Sequence, residues 1–354
     1  LPAGRYESTA CVRAADFDGD GVNELFVGIR LIPFLYGVPA NGYLLENDGN
    51  GNFTNVSAQI APELKEVGML RDMRWGDVDE DGDPDMILAG DWMPLKIFIN
   101  ENGSFRESRD AFGSAHTSGW WNCLATGDLD GDGDLDFVAG NLGLNSRFKA
   151  SAERPVTMYV NDFDRNGSAE QIICVYDGDS AYPLALKHDL TRQIPDLLKK
   201  YPKYELYKEQ TINDIFTSEQ LSNALHLEVD RLETSLFIND GSGHFTVSAL
   251  PLETQFSTIM AAMAGDFNGD GNPDLLLGGN LYNVKPEVGR YDASYGHYLE
   301  GDGRGGFRVV PPSQSGVRLE GEIRDIRSIQ TPDGTMVVVA RNNDSPQLFR
   351  LQDQ

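Results

Sequence analysis

Cysteine is scarce: Cys11, Cys123 and Cys174 are all that 354 residues contain. An odd set of three gives no disulfide framework. Each lies in or beside an apolar run, which favours buried free thiols over a bridge. No run approaches the 18 or so apolar residues that a membrane-spanning helix needs. Basic residues are also few, 29 Lys and Arg against 55 Asp and Glu, for a net charge of −26. That balance disfavours nucleic acid and anionic membrane as partners. Catalytic signatures are missing: there is no His-Glu-x-x-His, no Gly-x-Ser-x-Gly, no Walker loop and no Cys-x-x-Cys. The five histidines (His116, His188, His226, His244 and His297) stand singly. His244 falls in a hairpin turn, while His116 and His297 lie near aromatic loops from which they could reach a central pocket. The chain opens on Leu1 without a signal-peptide pattern, and we read it as a mature or excised piece of a longer exported protein.

What the sequence does have is one nine-residue phrase written five times. Asp or Asn stands at positions 1, 3 and 5, Gly at 6, and Asp or Glu at 9. The first copy is Asp16, Asp18, Asp20, Gly21 and Glu24. The second is Asp77, Asp79, Asp81, Gly82 and Asp85, and the third Asp128, Asp130, Asp132, Gly133 and Asp136. The fourth is Asp162, Asp164, Asn166, Gly167 and Glu170, and the fifth Asp266, Asn268, Asp270, Gly271 and Asp274. Calcium is a hard cation that takes six to eight oxygens at roughly 2.3–2.6 Å. Alternate side chains of a short loop can supply them if the chain then turns sharply, and Gly at 6 permits that turn. Position 7 varies (Val22, Asp83, Asp134, Ser168, Asn272), as a residue offering only its carbonyl would. Position 9 closes the cage with a carboxylate.

Four carboxylates crowd each of the first three loops, and three each of the others. At an effective dielectric of 20, two such charges 4 Å apart repel by about 4 kcal/mol, so the loops need a counter-charge. Asp, Asn and Gly also make plain acidic turns. Five copies at the same offsets favour the metal. Five calcium ions would bring the net charge to about −16, and weak all-oxygen sites of about 10⁻⁴–10⁻³ M suit an extracellular setting.

Short apolar, β-leaning runs flank each loop, including Ala10–Val12 before the first and Leu25–Gly28 after it. They are too short for helices, so each loop reads as a hairpin tip. A second phrase lies between the loops, with Asn-Gly or Asp-Gly between apolar runs, as in residues 43–53, 97–105, 236–245 and 298–307. That is a strong hairpin signal. Two hairpins make a four-stranded unit, and such units repeated around a ring make a β-propeller. The expectation is one all-β domain over residues 1–354, of about six four-stranded blades with seven possible. The blades are placed at about 9–60, 68–110, 119–176, 182–251, 257–311 and 321 to the end. The third would carry two metal loops, the Asp162 loop replacing its polar turn. The last lacks a loop and is a strand short, and Gly4–Ser8 would close the ring by supplying it. Residues 189–226 read as a helical insertion packed on one face or rim. Asp189 would cap a helix over 190–201 that Pro195 threatens to break, and Thr217–Gln220 forms a capping box.

The Asp-x-Asp-x-Asp-Gly-x-x-Asp loops with trailing Phe-Val-Gly or Leu-Leu-Gly-Gly resemble the FG-GAP/VCBS repeats of integrin-α-like β-propellers. Three segments (residues 1–8, 117–123 and 282–291) resemble long bacterial surface proteins that pair such propellers with an ASPIC/UnbV-type region. The resemblance implies export to the cell surface, calcium-stabilised blades and a binding role, with no established catalytic activity.

The candidates for a ligand site are aromatic and polar residues near strand ends: Arg71, Trp92, Trp120, Trp121, Asn122, Tyr282, Arg290 and Tyr291, with Asp91, residues 141–147 and Tyr295 beside them. Flat rings beside Asn, Asp and Arg suit a sugar or an extended peptide in the funnel, although such rings also pack between blades. The expected function is a calcium-binding extracellular module that holds a glycan, a protein or peptide ligand, or other subunits of a surface complex. The rivals are a polysaccharide lyase or hydrolase that uses the funnel, and an accessory part of an outer-membrane assembly.

Overall fold

The computed structural model describes residues 6–286, 288–332 and 334–350. Its strands form six antiparallel sheets. The first holds β1 (Ser8–Ala15), β2 (Glu24–Leu31), β3 (Gly42–Asn47) and β4 (Phe53–Asn55) in that order. The second holds β5 (Met69–Gly76), β6 (Asp85–Pro94), β7 (Lys96–Asn100) and β8 (Phe105–Ser108), and β9 (Ser118–Trp120) adds to β6. The third opens with β10 (Cys123–Gly127) and β11 (Asp136–Gly140). The chain then leaves to build another sheet from β12 (Val156–Asn161), β13 (Glu170–Asp177), β14 (Ser180–Pro183) and β15 (Leu225–Val229), ordered β14-β13-β12-β15. It returns as β16 (Ser235–Asn239) and β17 (Phe245–Ala249), and β16 pairs with β11 to complete the third blade. The last two sheets are β18 (Ile259–Gly265), β19 (Asp274–Gly279), β20 (His297–Gly301) and β21 (Phe307–Val310), then β22 (Ile323–Thr331), β23 (Gly334–Arg341) and β24 (Gln347–Arg350).

The antiparallel sheets fit an all-β propeller, five of them following one another as blades and the sixth inserted, and two expected boundaries are corrected. Residues 119–176 and 182–251 are not successive blades. The third blade is interrupted at residue 140 and resumes at 235, and the Asp162 loop belongs to the inserted sheet, between β12 and β13. Gly4 and Arg5 of the expected closing strand lie outside the described residues, and Ser8 opens β1, opposite Leu31. Among the described residues no strand pairing joins the last sheet to the first.

The second strand of a blade lies between two neighbouring sheets, which is why it reads as a continuous apolar run rather than an alternating one. From Asp85 to Met93, β6 is buried throughout. Successive seams hold separate cores. Phe26, Leu44, Leu70 and Phe98 fill the first, and Ile87, Trp121, Phe137 and Phe237 the second. Val138, Leu236, Ile259 and Leu275 fill the third, and Leu276, Ile323 and Val337 the fourth. Phe137 stacks on Phe237 with centroids 4.4 Å apart. Burying each such ring contributes about 2–3 kcal/mol. The Gly that ends the apolar run has a packing reason. A Cβ on Gly278 would sit 2.6 Å from Ile323 Cγ2, and one on Gly140 would sit 2.9 Å from Ile259 Cγ2.

The inserted sheet is covered on one side by short helices between Lys187 and Ser222, around Ile172, Leu190, Tyr201 and Phe216. Its other side packs on the ring through Val156, Met158, Met69 and Trp92. The helix expected over 190–201 runs instead over Lys187–Gln193 and resumes at Leu197–Lys200, because Pro195 interrupts it. Asp189 sits in the first turn and does not cap it. The Thr217–Gln220 capping box is present.

Candidate functional site

The five acidic loops share their hydrogen bonds at positions 5 and 9 and vary at position 1, where Asp77 and Asp162 take the amides of positions 5 and 6 and Asp128 that of position 4. The position-1 carboxylate folds over the turn: Asp16 accepts from Gly19 N at 2.8 Å and Gly21 N at 2.9 Å, and Asp266 from Gly269 N and Gly271 N at 2.7 and 3.0 Å. Position 5 accepts from the amide of position 7, as Asp20 does from Val22 N and Asp132 from Asp134 N. Gly at 6 has φ between +87° and +104° in all five copies. Position 4 is left-handed too. It is Gly in three copies, but Glu80 and Arg165 hold φ +60° there, at a cost of about 1–2 kcal/mol each. The sequence reading missed this second turn residue, although the Gly at position 4 in three copies could have shown it.

Position 9 does more than face the loop. Glu24, Asp85, Asp136, Glu170 and Asp274 are all buried. One oxygen of each accepts the backbone N–H of position 2, from Phe17, Val78, Leu129, Phe163 and Phe267. In three blades the other oxygen accepts an N–H from the end of the third strand: Asn100 N to Asp85 at 2.7 Å, Asn239 N to Asp136 at 2.8 Å and Gly301 N to Asp274 at 3.0 Å. The carbonyl of position 2 then reaches the next blade. Asn100 Nδ2 donates to Phe17 O and Asn239 Nδ2 to Val78 O, both at 2.8 Å, and Gly305 N donates to Leu129 O at 3.2 Å.

Three carboxylates gather within 4.8 Å in four loops: Asp16, Asp18 and Glu24; Asp77, Asp79 and Asp85; Asp128, Asp130 and Asp136; Asp162, Asp164 and Glu170. These groups could hold a metal ion. In the fifth loop Asn268 supplies an amide oxygen at position 3 in place of a carboxylate. Burial pushes the carboxyl of Asp85 up to about 7 and that of Asp136 up to about 6, and raises Glu24, Glu170 and Asp274 as well. Glu24 Oε1 and Asp79 Oδ1 are buried without any hydrogen-bond partner. A buried acceptor with no donor is costly, and a cation beside it removes the cost. The donor set is all oxygen, which suits a hard divalent ion.

The ligand candidates lie at the opposite end of the strands, roughly 20 Å from the loops for strands of this length. There a cavity of about 1410 Å³ opens between the sheet ends and the inserted sheet. Arg71, Trp92, Trp120, Asn122 and Tyr291 line it, with Asp91 and Arg147. Three candidates do not. Trp121 is fully buried in the second seam, its Nε1 held by Thr117 O at 2.8 Å. Adjacent residues of an extended chain face opposite ways, so Trp120 and Trp121 could not both reach the cavity. Arg290 instead stacks over the ring of Tyr282, 5.1 Å from its centroid, and neither lines the cavity. His116, His297 and Tyr295 are also absent from its walls.

The connections between second and third strands build those walls. That connection is a single residue, Leu95, in the second blade, residues 32–41 in the first, 280–296 in the fourth and 141–234 in the third. They bring Tyr36, Lys285, Tyr291 and the roof residues Gln171, Ile173 and Asp189 together. Sequence reasoning missed Arg30, Lys285 and Arg324, because nothing local ties them to one place. Trp92 has φ +58°, a rare conformation for a bulky residue, and its Nε1 donates to Tyr36 Oη at 3.1 Å.

An FG-GAP-like repeat model matches residues 16–88, 77–139 and 213–277. No curated protein sequence matches the chain. Among solved structures, the chain is similar to the rhamnogalacturonan lyase PL11 of Bacillus licheniformis, at 11% identity and a TM-score of 0.35, over 94% of this chain and 55% of that one. It is similar to the rhamnogalacturonan lyase YesW at 13% identity and a TM-score of 0.30, over 96% of this chain and 60% of the lyase. A third is BBS1N in its complex with ARL6DN, at 11% identity and a TM-score of 0.26, over 99% of this chain and 94% of that one. The chain thus spans little more than half the length of either lyase.

Proposed function

Because the chain belongs to the FG-GAP-like repeat family, a family of β-propeller modules, we propose that it is a calcium-loaded propeller serving as the non-enzymatic binding module of an exported bacterial surface protein. One observation carries this reading: the same loop conformation recurs at five hairpin tips, and in two of them a buried carboxylate oxygen has no protein donor. Positions 1, 3, 5 and 9 would hold the ion with their side chains, and position 7 with its carbonyl. When bound, the ion supplies positive charge that offsets the carboxylate repulsion and the burial of position 9. The protein's own part is to pre-form the loop through its backbone N–H groups.

The extracellular setting is supported by the weak affinity expected of such all-oxygen sites and by the resemblance to surface proteins in residues 1–8, 117–123 and 282–291. Among the described residues no helix is long and apolar enough to cross a membrane. We take residues 1–354 as one propeller domain, whose cavity under the inserted sheet is the place for a ligand. The test is thermal or chemical unfolding in calcium and in chelator. The melting temperature is expected to fall on chelation and recover with calcium but not with sodium; the same melt in both media would end the proposal.

A further inference from the structure

Acidic residues outnumber basic ones almost two to one in the chain, yet the cavity reverses the balance. Among the described residues, Arg30, Arg71, Arg147, Lys285 and Arg324 line it, against Asp91 and Asp189. Part of this charge is met locally. Asp91 accepts from Arg71 Nε at 2.9 Å and Arg30 Nε at 3.1 Å, and Lys285 stands 4.0 Å from Asp189. Behind the wall, Glu322 takes Arg324 Nη2 at 2.9 Å. An excess remains. Arg324 Nη1 is buried with no acceptor. Arg147 makes no ion pair or hydrogen bond with described residues. Each guanidinium has five N–H donors, and Arg71 gives only its Nε to Asp91. Such forks match carboxylates in geometry as well as charge.

The rest of the lining narrows the class. The amide residues Asn122, Gln171, Gln193, Asn283 and Asn342 line the same space, although Asn122, Gln171 and Asn342 each give one N–H to a protein acceptor. An amide both donates and accepts, as a sugar hydroxyl does. Trp92, Trp120 and Phe148 form an edge-to-face wall at 5.0 and 4.8 Å between centroids. Strand ends and connections bound the cavity, not the open sheet edge on which an extended peptide is held. Its volume, about 1410 Å³, exceeds the roughly 300–1,000 Å³ of most small-molecule pockets.

We propose that this cavity binds an acidic oligosaccharide whose carboxylates seat on Arg71, Arg147 and Arg324 while its hydroxyls meet the amides. The proposal rests on the binding-module reading and is independent of the metal loops. The experiment is calorimetric titration of the calcium-loaded chain with tetragalacturonate and a tetraglucuronate. Maltotetraose serves as the neutral sugar and tetraglutamate as the acidic peptide. At least one uronate is expected to bind ten-fold or more tighter than both comparators, with affinity dropping as salt rises. Arg147→Glu, at an exposed position, is expected to weaken that binding ten-fold or more without moving the melt. Arg324→Gln is expected to weaken it less. Absence of binding by both uronates overturns the proposal, as does equal binding of either comparator or an unchanged affinity in Arg147→Glu. Failure of the calcium reading appears instead in the melts, before any sugar is added.

Discussion

The two carboxylates at either end of the third loop give the sharpest test, because the fold uses them differently. Asp128 accepts one N–H, from the exposed Gly131 at 2.7 Å. In Asp128→Ala that N–H turns to water, so the cost without a cation is about 1 kcal/mol or less. Asp136 is fully buried and accepts Leu129 N and Asn239 N, both at 2.8 Å. Asp136→Ala leaves both N–H groups without acceptors, at about 1–3 kcal/mol each, or roughly 2–6 in all. That loss also loosens β16 from β11, and it occurs whether or not calcium is present. Calcium held at 100 times its dissociation constant stabilises by about 2.7 kcal/mol per site. We therefore predict that Asp128→Ala unfolds near wild type in chelator but falls about 2–3 kcal/mol behind it in calcium. Asp136→Ala should fall behind in both media. The assay is urea unfolding followed by tryptophan fluorescence in calcium and in EDTA. If Asp128→Ala keeps the same small deficit in both, the loop does not bind the ion, and the reasoning fails.

Three further predictions follow from buried polar groups. Asn100 is fully buried, with Nδ2 on Phe17 O and Oδ1 taking Gly103 N at 2.7 Å, so Asn100→Ala should cost about 2–4 kcal/mol in urea midpoint experiments. At its half-buried counterpart Asn47, whose hydrogen bond to Asn23 O lies in exposed surroundings, Asn47→Ala should cost under about 1 kcal/mol. Burial pushes the thiol of Cys11 up to about 11 and those of Cys123 and Cys174 up to about 12; all three should resist a thiol reagent in the native protein and react fully in guanidinium. Burial also holds His297 below its usual 6.5. The unfolded chain then takes up this proton first, so stability should fall as pH drops below about 6.5 and level off under the lower folded value. His297→Gln should lose that part of the acid slope in paired unfolding curves at pH 7.5 and 5.

The loops were legible because every acidic position and turn lies within nine consecutive residues. The seams were legible as unbroken apolar runs, such as Met86–Ala89 in β6. What stayed hidden is non-local. Phe137 pairs with Phe237 across the whole inserted sheet, and a hairpin signal at 236–245 does not say which earlier strand it will join. The cavity was half legible. Arg71, Trp92 and Trp120 stand beside recognisable strand ends, whereas Arg30 and Arg324 are placed there only by the radial stacking of the first and last sheets. Trp121 shows the opposite limit: its side of the strand depends on a register that the neighbouring Trp120 leaves undecided.

The carbonyls of Phe17, Val78 and Leu129, each tied to the following blade, have a bearing on how this architecture can grow. A change at the acidic rim disturbs two blades at once, so that rim resists new sequence. At the far end the connection between second and third strands is also tied to the following blade, as Ala40 is to Gly68 by two backbone hydrogen bonds, yet its length is not fixed by that tie. A single leucine there serves as well as a complete grafted sheet. In this chain the added sequence lies on the side where the cavity opens.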